Sequence, residues 1–199
     1  MAGRPLGRDA RRRALRREVL VLLGERGFHG FGMREVAART GQSVANLYHH
    51  VADKEELVYL ALVERLTAAT ASAEATLAVP KPRDRLRALA TDHARRVLES
   101  PAESAVWRGD LPPLREPQRR RLTALRAEYE ETARQVLDAV VGRRGERRAT
   151  SWRRMRLLLA MLERAALDLP APPTPARVAR AATETLQLFL GGARRARVR

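Results

Sequence analysis

Residues 24–57 read GERGFHGFGMREVAARTGQSVANLYHHVADKEEL, and the spacing within this stretch decides the fold. Met33, Val36 and Ala37 recur at i, i+3 and i+4, which makes one buried helical stripe, and Arg34, Glu35 and Arg39 fall on the wet side. Gly41 follows Thr40, where a helix end calls for a residue tolerant of positive φ. Ser43 is placed to cap a second short helix through its hydroxyl, and Leu47 and Val51 give that helix an apolar i, i+4 pair against the first. Asp53 and Glu56 form a D-x-x-E capping box at the start of a third, longer helix. Two helices this short cannot bury a core alone, so the helices on either side must complete it. The expectation is a helix-turn-helix inside a small three-helix head.

In a helix-turn-helix the front part of the second helix enters the major groove, and Gln42, Ser43, Ala45, Asn46 and His49 are placed for that. Asn46 has the chemistry to bond adenine in a bidentate way or to serve as a local cap, whereas Val44 and Ala45 offer only apolar contact to a thymine methyl. Lys54, in the first turn of the longer helix, fits either a phosphate contact or a solvated lysine.

Gly27, Phe28, Met33, Arg34, Val36, Ala37, Gly41, Ser43, Leu47, Tyr48, His50, Val51, Lys54, Glu55 and Leu57, at these fixed spacings, resemble the head of the TetR-type transcriptional regulators over about the first third of the chain. The resemblance implies a DNA-binding set of Arg34, Gln42, Ser43, Val44, Ala45, Asn46, Tyr48, His49, His50 and Lys54, with Tyr48 and one of the two histidines donating to phosphates. Three departures from the family pattern, over four positions, stand out. Phe31 and Gly32 stand where the family usually has Thr and a hydroxyl cap, Val44 where Lys is common, and Val51 where Phe is usual. Gly is a tolerable N-cap, so the first departure weakens a cap by only a few tenths of a kcal/mol. The second removes a phosphate contact and shifts anchoring towards Tyr48, Lys54 and the arginines that precede the first helix.

The formal charge of +16 over 199 residues points to a polyanion partner. Of the 39 basic residues only Lys54 and Lys81 are lysines, and an Arg and Ala excess of this kind also follows from GC-rich coding, so clustering bears on function more than the total does. Arg4, Arg8, Arg11, Arg12, Arg13, Arg16 and Arg17 face one acid, Asp9, in the first seventeen residues. Such an arm suits a minor groove or phosphates, and equally a solvated tail. There is no cysteine for a disulfide or thiolate metal site, no apolar signal core and no run long enough for a membrane span. These absences lead us to expect a cytoplasmic protein with no membrane partner.

Helical periodicity continues beyond the head. Helices are expected from about Asp9 to Arg26, from Asp53 towards Pro80, and over Arg83–Glu99, Pro101–Trp107 and Glu116–Val141, with Gly142 and Gly145 ending the last of these. Another starts near Ser151 as a possible cap, and a final one runs from Thr174 as N-cap to Gly191 and Gly192. Leu158, Leu159 and Leu162 on the first of this pair, and Val178, Ala182, Thr185 and Phe189 on the second, form matching stripes. They suit packing against a second subunit, as in the TetR-type dimer, or the core of one chain. The same resemblance implies an effector pocket in the body, for which Leu86, Leu89, His93, Trp107, Leu125, Tyr129, Met155 and Met161 are the candidate lining. RLTALRAEYEETARQVL followed by RRMRLLLAMLERAAL is similar to a subgroup linked to fatty-acid, acyl-CoA or sterol breakdown, which implies an apolar effector such as an acyl thioester.

Catalysis finds little support. Gly41-Gln42-Ser43-Val44-Ala45 breaks G-x-S-x-G at its last position and lies between helices, and neither a Walker loop nor G-x-G-x-x-G occurs. His49, His50 and Asp53 lack metal-binding spacing. We therefore expect no enzyme, no cofactor and no metal. The expected fold is all-α with about nine helices: a helix-turn-helix DNA-binding domain with its arm over residues 1–52, and an effector-binding and dimerisation domain over 53–199. The partners expected are a double-stranded operator, a second copy of the chain and a small effector. The competing reading is an architectural or nucleoid-type protein that binds DNA without sequence preference and has no effector.

Overall fold

The computed structural model describes residues 8–100, 102, 104, 105, 112–142 and 147–195. Among these, all regular structure is helical, in eight α-helices: α1 Arg8–Arg26, α2 Met33–Thr40, α3 Val44–Tyr48, α4 Lys54–Thr76, α5 Pro82–Glu99, α6 Glu116–Val141, α7 Arg148–Leu167 and α8 Pro175–Arg195, with a 3-10 turn at Phe28–Gly30. Of the helix expected over 101–107, Ala102, Ser104 and Ala105 are helical, and the remainder lies outside the described residues. No helix of the described residues is long and apolar enough to cross a membrane.

The chain forms two compact units, one of residues 1–65 and 100–123, the other of residues 66–99 and 124–199. The unit that holds the helix-turn-helix thus extends past residue 52, taking in the start of α4 and a later segment. In this unit α1 packs on α2, and α2 on α3. Leu15, Val19 and Leu22 of α1, Met33, Val36 and Ala37 of α2, and Leu47 of α3 are buried. Full burial of each leucine contributes ~1.5–3 kcal/mol, which lets a helix as short as α3 hold its place.

In the other unit α5 packs against both α7 and α8, which also pack against each other. Both late stripes take part in this packing. Leu158 and Leu162 of α7, and Val178, Ala182, Thr185 and Phe189 of α8, are buried within the single chain, while Leu159 is half-buried. The large apolar groups exposed on these helices are Leu157, Leu167 and Leu188.

Helix ends follow local chemistry. The Thr174 hydroxyl accepts from the Arg177 N–H at 3.3 Å, with Pro175 opening α8 as expected. Ser151 is not a cap: it lies inside α7, is buried, and donates to Asp138 Oδ2 at 2.6 Å, while α7 begins after Arg147 with no side-chain cap. Gly191 and Gly192 do not stop α8, which runs to Arg195. Gly142 does end α6, and a Cβ there would stand 2.4 Å from the Asp138 carbonyl oxygen, so the close turn requires glycine. Within α6, Arg134 donates to Glu131 and Asp138, and hydrogen bonds from Arg134 push the Glu131 carboxyl down to about 2.

Candidate nucleic-acid interface

α2 begins at Gly32, whose carbonyl accepts from the Glu35 and Val36 N–H groups at 3.0 and 3.2 Å without a side-chain cap. It ends at Gly41, held at φ 64 and ψ 24, a conformation that glycine adopts without strain. The Gly41 and Gln42 N–H groups both return to the Ala37 carbonyl. The chain then extends through Ser43, whose hydroxyl accepts from the Asn46 N–H at 3.1 Å and starts α3. With Leu47 fully buried and Val51 buried behind it, the register of α3 is fixed.

That register turns the polar set outward. Ser43, Ala45, Asn46, Tyr48, His49 and His50 are exposed, as is Arg34 of α2, whereas Gln42 and Val44 are half-buried. Tyr48, an aromatic of the kind usually buried, is 51% exposed with its hydroxyl available to donate. Asn46 Nδ2 donates to Gln42 Oε1 at 2.8 Å, a pair that joins α3 to the residue just ahead of its cap. Arg11, Arg12 and Leu15 of α1 line one groove of about 310 Å³ with Gln42, Asn46 and His50. The cationic part of this face therefore includes the first turns of α1, which only the packing of α1 on α2 reveals. Three other arginines of the unit are paired: Arg39 with Glu25 at 2.8 Å, Arg26 with Glu35 at 2.9 Å, and Arg16 with Glu64.

Lys54 has a placement the sequence did not suggest. Its ammonium donates to the Phe28 and Phe31 carbonyls at 2.8 and 2.9 Å, and it lies 4.4 and 5.0 Å from the centroids of the same two rings. Two of its three donors thus tie the turn before α2 to the first turn of α4, and Phe31, absent from the family pattern, supplies half of that tie. The expected capping box is present one residue out of step. Asp53 Oδ1 accepts from the Glu56 N–H at 2.8 Å, and Glu56 Oε2 accepts from the Ala52 N–H at 2.6 Å. Arg115 donates to Asp53 Oδ2 at 2.5 Å, and its backbone N–H donates to Glu55. The Glu56 N–H first, and then Arg115, hold the Asp53 carboxyl below its ordinary range. With more than sixty residues between Arg115 and Asp53, no local pattern announces the pair.

In the other unit, Leu86, Leu89, His93, Leu125, Tyr129 and Met155 are buried and Met161 is half-buried, while Trp107 lies outside the described residues. The structure brings two of them into contact. His93 Nδ1 lies 2.9 Å from the Tyr129 hydroxyl, with the rings stacked at 5.9 Å. The ring is also hydrogen-bonded to the Leu159 backbone. With that carbonyl as acceptor, the other ring nitrogen carries the proton and Nδ1 accepts from Tyr129. Burial pushes the imidazole down to about 4, so it is neutral.

Known proteins share this arrangement. Residues 20–59 match the bacterial regulatory proteins of the tetR family, and residues 79–165 match the tetracyclin repressor-like C-terminal domain. Over 63 residues, 32% of the chain, the sequence is 43% identical to the HTH-type transcriptional activator FasR of Mycolicibacterium smegmatis, and the match spans 28% of that relative's length. The crystal structure of PfmR, a TetR family transcriptional regulator from Thermus thermophilus, superposes with a TM-score of 0.69 at 27% identity, over 88% of this chain and 96% of that one. AibR, solved with isovaleryl coenzyme A and operator DNA, gives a TM-score of 0.65 at 20% identity, over 85% of this chain and 94% of that one. The family matches in both halves of the chain, together with the PfmR likeness, show that the protein belongs to the TetR family of bacterial transcriptional regulators.

Proposed function

We propose that the protein is a ligand-responsive repressor that binds a palindromic operator in the cytoplasm as a homodimer and is released by a small, largely apolar effector. The observation that carries the DNA reading is the outward face of α3, where Asn46, Tyr48, His49 and His50 are exposed over a buried Leu47 and share their side of the unit with Arg11 and Arg12. Arg34, Gln42, Ser43, Val44 and Ala45 complete the proposed contact set. Side chains on a short helix with a fixed register meet base edges, while arginines beside them meet phosphates. Lys54 contributes by holding the turn that positions α2, with its ammonium on the Phe28 and Phe31 carbonyls.

The dimer face we propose is that of α7 and α8, which carry the two stripes and on which Leu157 and Leu188 are 57% and 72% exposed. An effector in the body would act through α4, a helix with residues in both compact units, and it releases DNA only if it binds the released state more tightly. AibR, of the same fold, is described in complex with isovaleryl coenzyme A, and this supports an acyl thioester as the first effector to test. Leu86, Leu89, His93, Leu125, Tyr129, Met155 and Met161 remain the proposed lining.

Footprinting on genomic fragments tests the proposal: a discrete protected palindrome is expected, lost on addition of effector. Uniform protection that rises with protein concentration would instead favour an architectural role, for which the net charge of +16 is the supporting observation. FasR is named an activator, so a reporter assay decides the sign of regulation. Sedimentation of Leu157→Glu and Leu188→Glu checks the dimer face, where unchanged dimerisation would reject it.

A further inference from the structure

Four residues apart, Gln42 and Asn46 are bonded to each other before any DNA is present. Asn46 Nδ2 donates to Gln42 Oε1 at 2.8 Å, Asn46 is exposed, Gln42 is half-buried, and both line the groove shared with Arg11 and Arg12. The Asn46 backbone is itself fixed, because its N–H donates to the Ser43 hydroxyl. The bond uses one of the two Asn46 N–H donors and one lone pair of Gln42 Oε1. Asn46 keeps its own Oδ1 and a second N–H, the acceptor and donor that adenine demands at N6 and N7 in the major groove. Gln42 keeps both Nε2–H donors, which suit the keto oxygen of guanine or thymine.

We infer that Gln42 and Asn46 read the operator as one preorganised carboxamide pair, with Asn46 on an adenine and Gln42 on a guanine or thymine one or two base pairs away. This rests on α3 being the base-reading helix. Gln42 lies just ahead of the Ser43 cap, and the 2.8 Å bond holds the two amides side by side, against ~3.4 Å per base pair, which sets that separation. In this arrangement Gln42 has two roles: it contacts its own base, and it holds the Asn46 amide in the orientation adenine requires.

The two roles separate chemically. Gln42→Ala removes both. Gln42→Glu keeps an oxygen that accepts from Asn46 Nδ2 and removes the donors aimed at DNA. Selection of sites from a randomised duplex pool by the full-length protein, by these two variants and by Asn46→Ala tests the pair. The unmodified protein is expected to enrich adenine by about tenfold at the Asn46 position. Asn46→Ala and Gln42→Ala should both lose that enrichment, while Gln42→Glu should keep it and lose the neighbouring guanine or thymine preference. Adenine enrichment undiminished in Gln42→Ala would overturn the coupling, as would enrichment lost equally in Gln42→Glu. If the unmodified protein selects a site in which no adenine depends on Asn46, the pair is rejected while the regulator reading stands. If it selects no sequence at all, the base-reading role of α3 fails and the pair fails with it.

Discussion

The helix-turn-helix unit and the α5, α7, α8 unit place their polar groups in opposite ways. In the first, Ser43, Asp53 and Lys54 are spent on backbone groups at helix starts and turns, at 2.8 to 3.1 Å, and Asn46, Tyr48, His49 and His50 face outward. In the second, helices of 18 to 21 residues satisfy most of their own backbone groups, and a polar pair, His93 and Tyr129, is buried. Short elements leave a large share of their amides and carbonyls without helical partners, so the unit built from them needs side-chain caps and ties. Long elements leave a smaller share, and a polar group buried among them has to find its partner in the core.

The largest effect expected from this contrast is a pH response of the body. The unfolded chain takes up a proton at the ordinary imidazole value of 6.5, whereas the buried His93 does so only near 4. Between these values the unfolded state binds more protons, so stability is full above 6.5 and falls as pH is lowered towards 4, by ~1.4 kcal/mol per pH unit from this group. The neighbouring Asp92 is held below its ordinary range by hydrogen bonds from Arg96 and Arg95 that outweigh its desolvation, so it does not titrate in this window. Denaturant unfolding from pH 7 to 4.5 should show a slope that His93→Phe flattens. Equal slopes in the two proteins would mean that the ring is reached by water.

A smaller effect is expected in the head. Lys54→Met keeps an apolar stem beside Phe28 and Phe31 but leaves their carbonyls without the ammonium, at a cost of ~1–3 kcal/mol. DNA affinity should fall while the dependence of log K on log salt keeps its slope. A slope reduced by about one would show that the lysine neutralises a phosphate and that the tie is secondary. The smallest effect is that of Gly41→Ala, where nothing lies within 4 Å of an added Cβ and only the left-handed backbone resists. We expect a loss of about 1 kcal/mol, read as a lower midpoint in urea. A loss several times larger would show that the turn is packed rather than merely bent.

The head was legible because its local signals are redundant. Gly41, Ser43, the Leu47 and Val51 spacing and the Asp53 and Glu56 box each point to the same helix limits, and those limits are found. In the body, helix positions were legible and facing was not. Val178, Ala182, Thr185 and Phe189 mark an apolar stripe, but period alone does not say whether α5 or another chain covers it. Ser151 misled for a related reason, since a serine near a helix start also serves to bind a carboxylate on another helix. At the interface the exposed set of α3 followed from register. The Lys54 tie and the groove lining by Arg11 and Arg12 depend on tertiary neighbours that no spacing encodes.

Arg115 sets a practical limit on exchanging heads between relatives of this fold. Its contacts to Asp53 and Glu55 place residues 100–123 in the same compact unit as the helix-turn-helix, although the matched head region stops at residue 59. A chimera cut at that boundary would pair the cap of α4 with whatever its new host carries at the Arg115 position. Fusions meant to keep this head intact should therefore transplant both segments of the chain, or restore an arginine there.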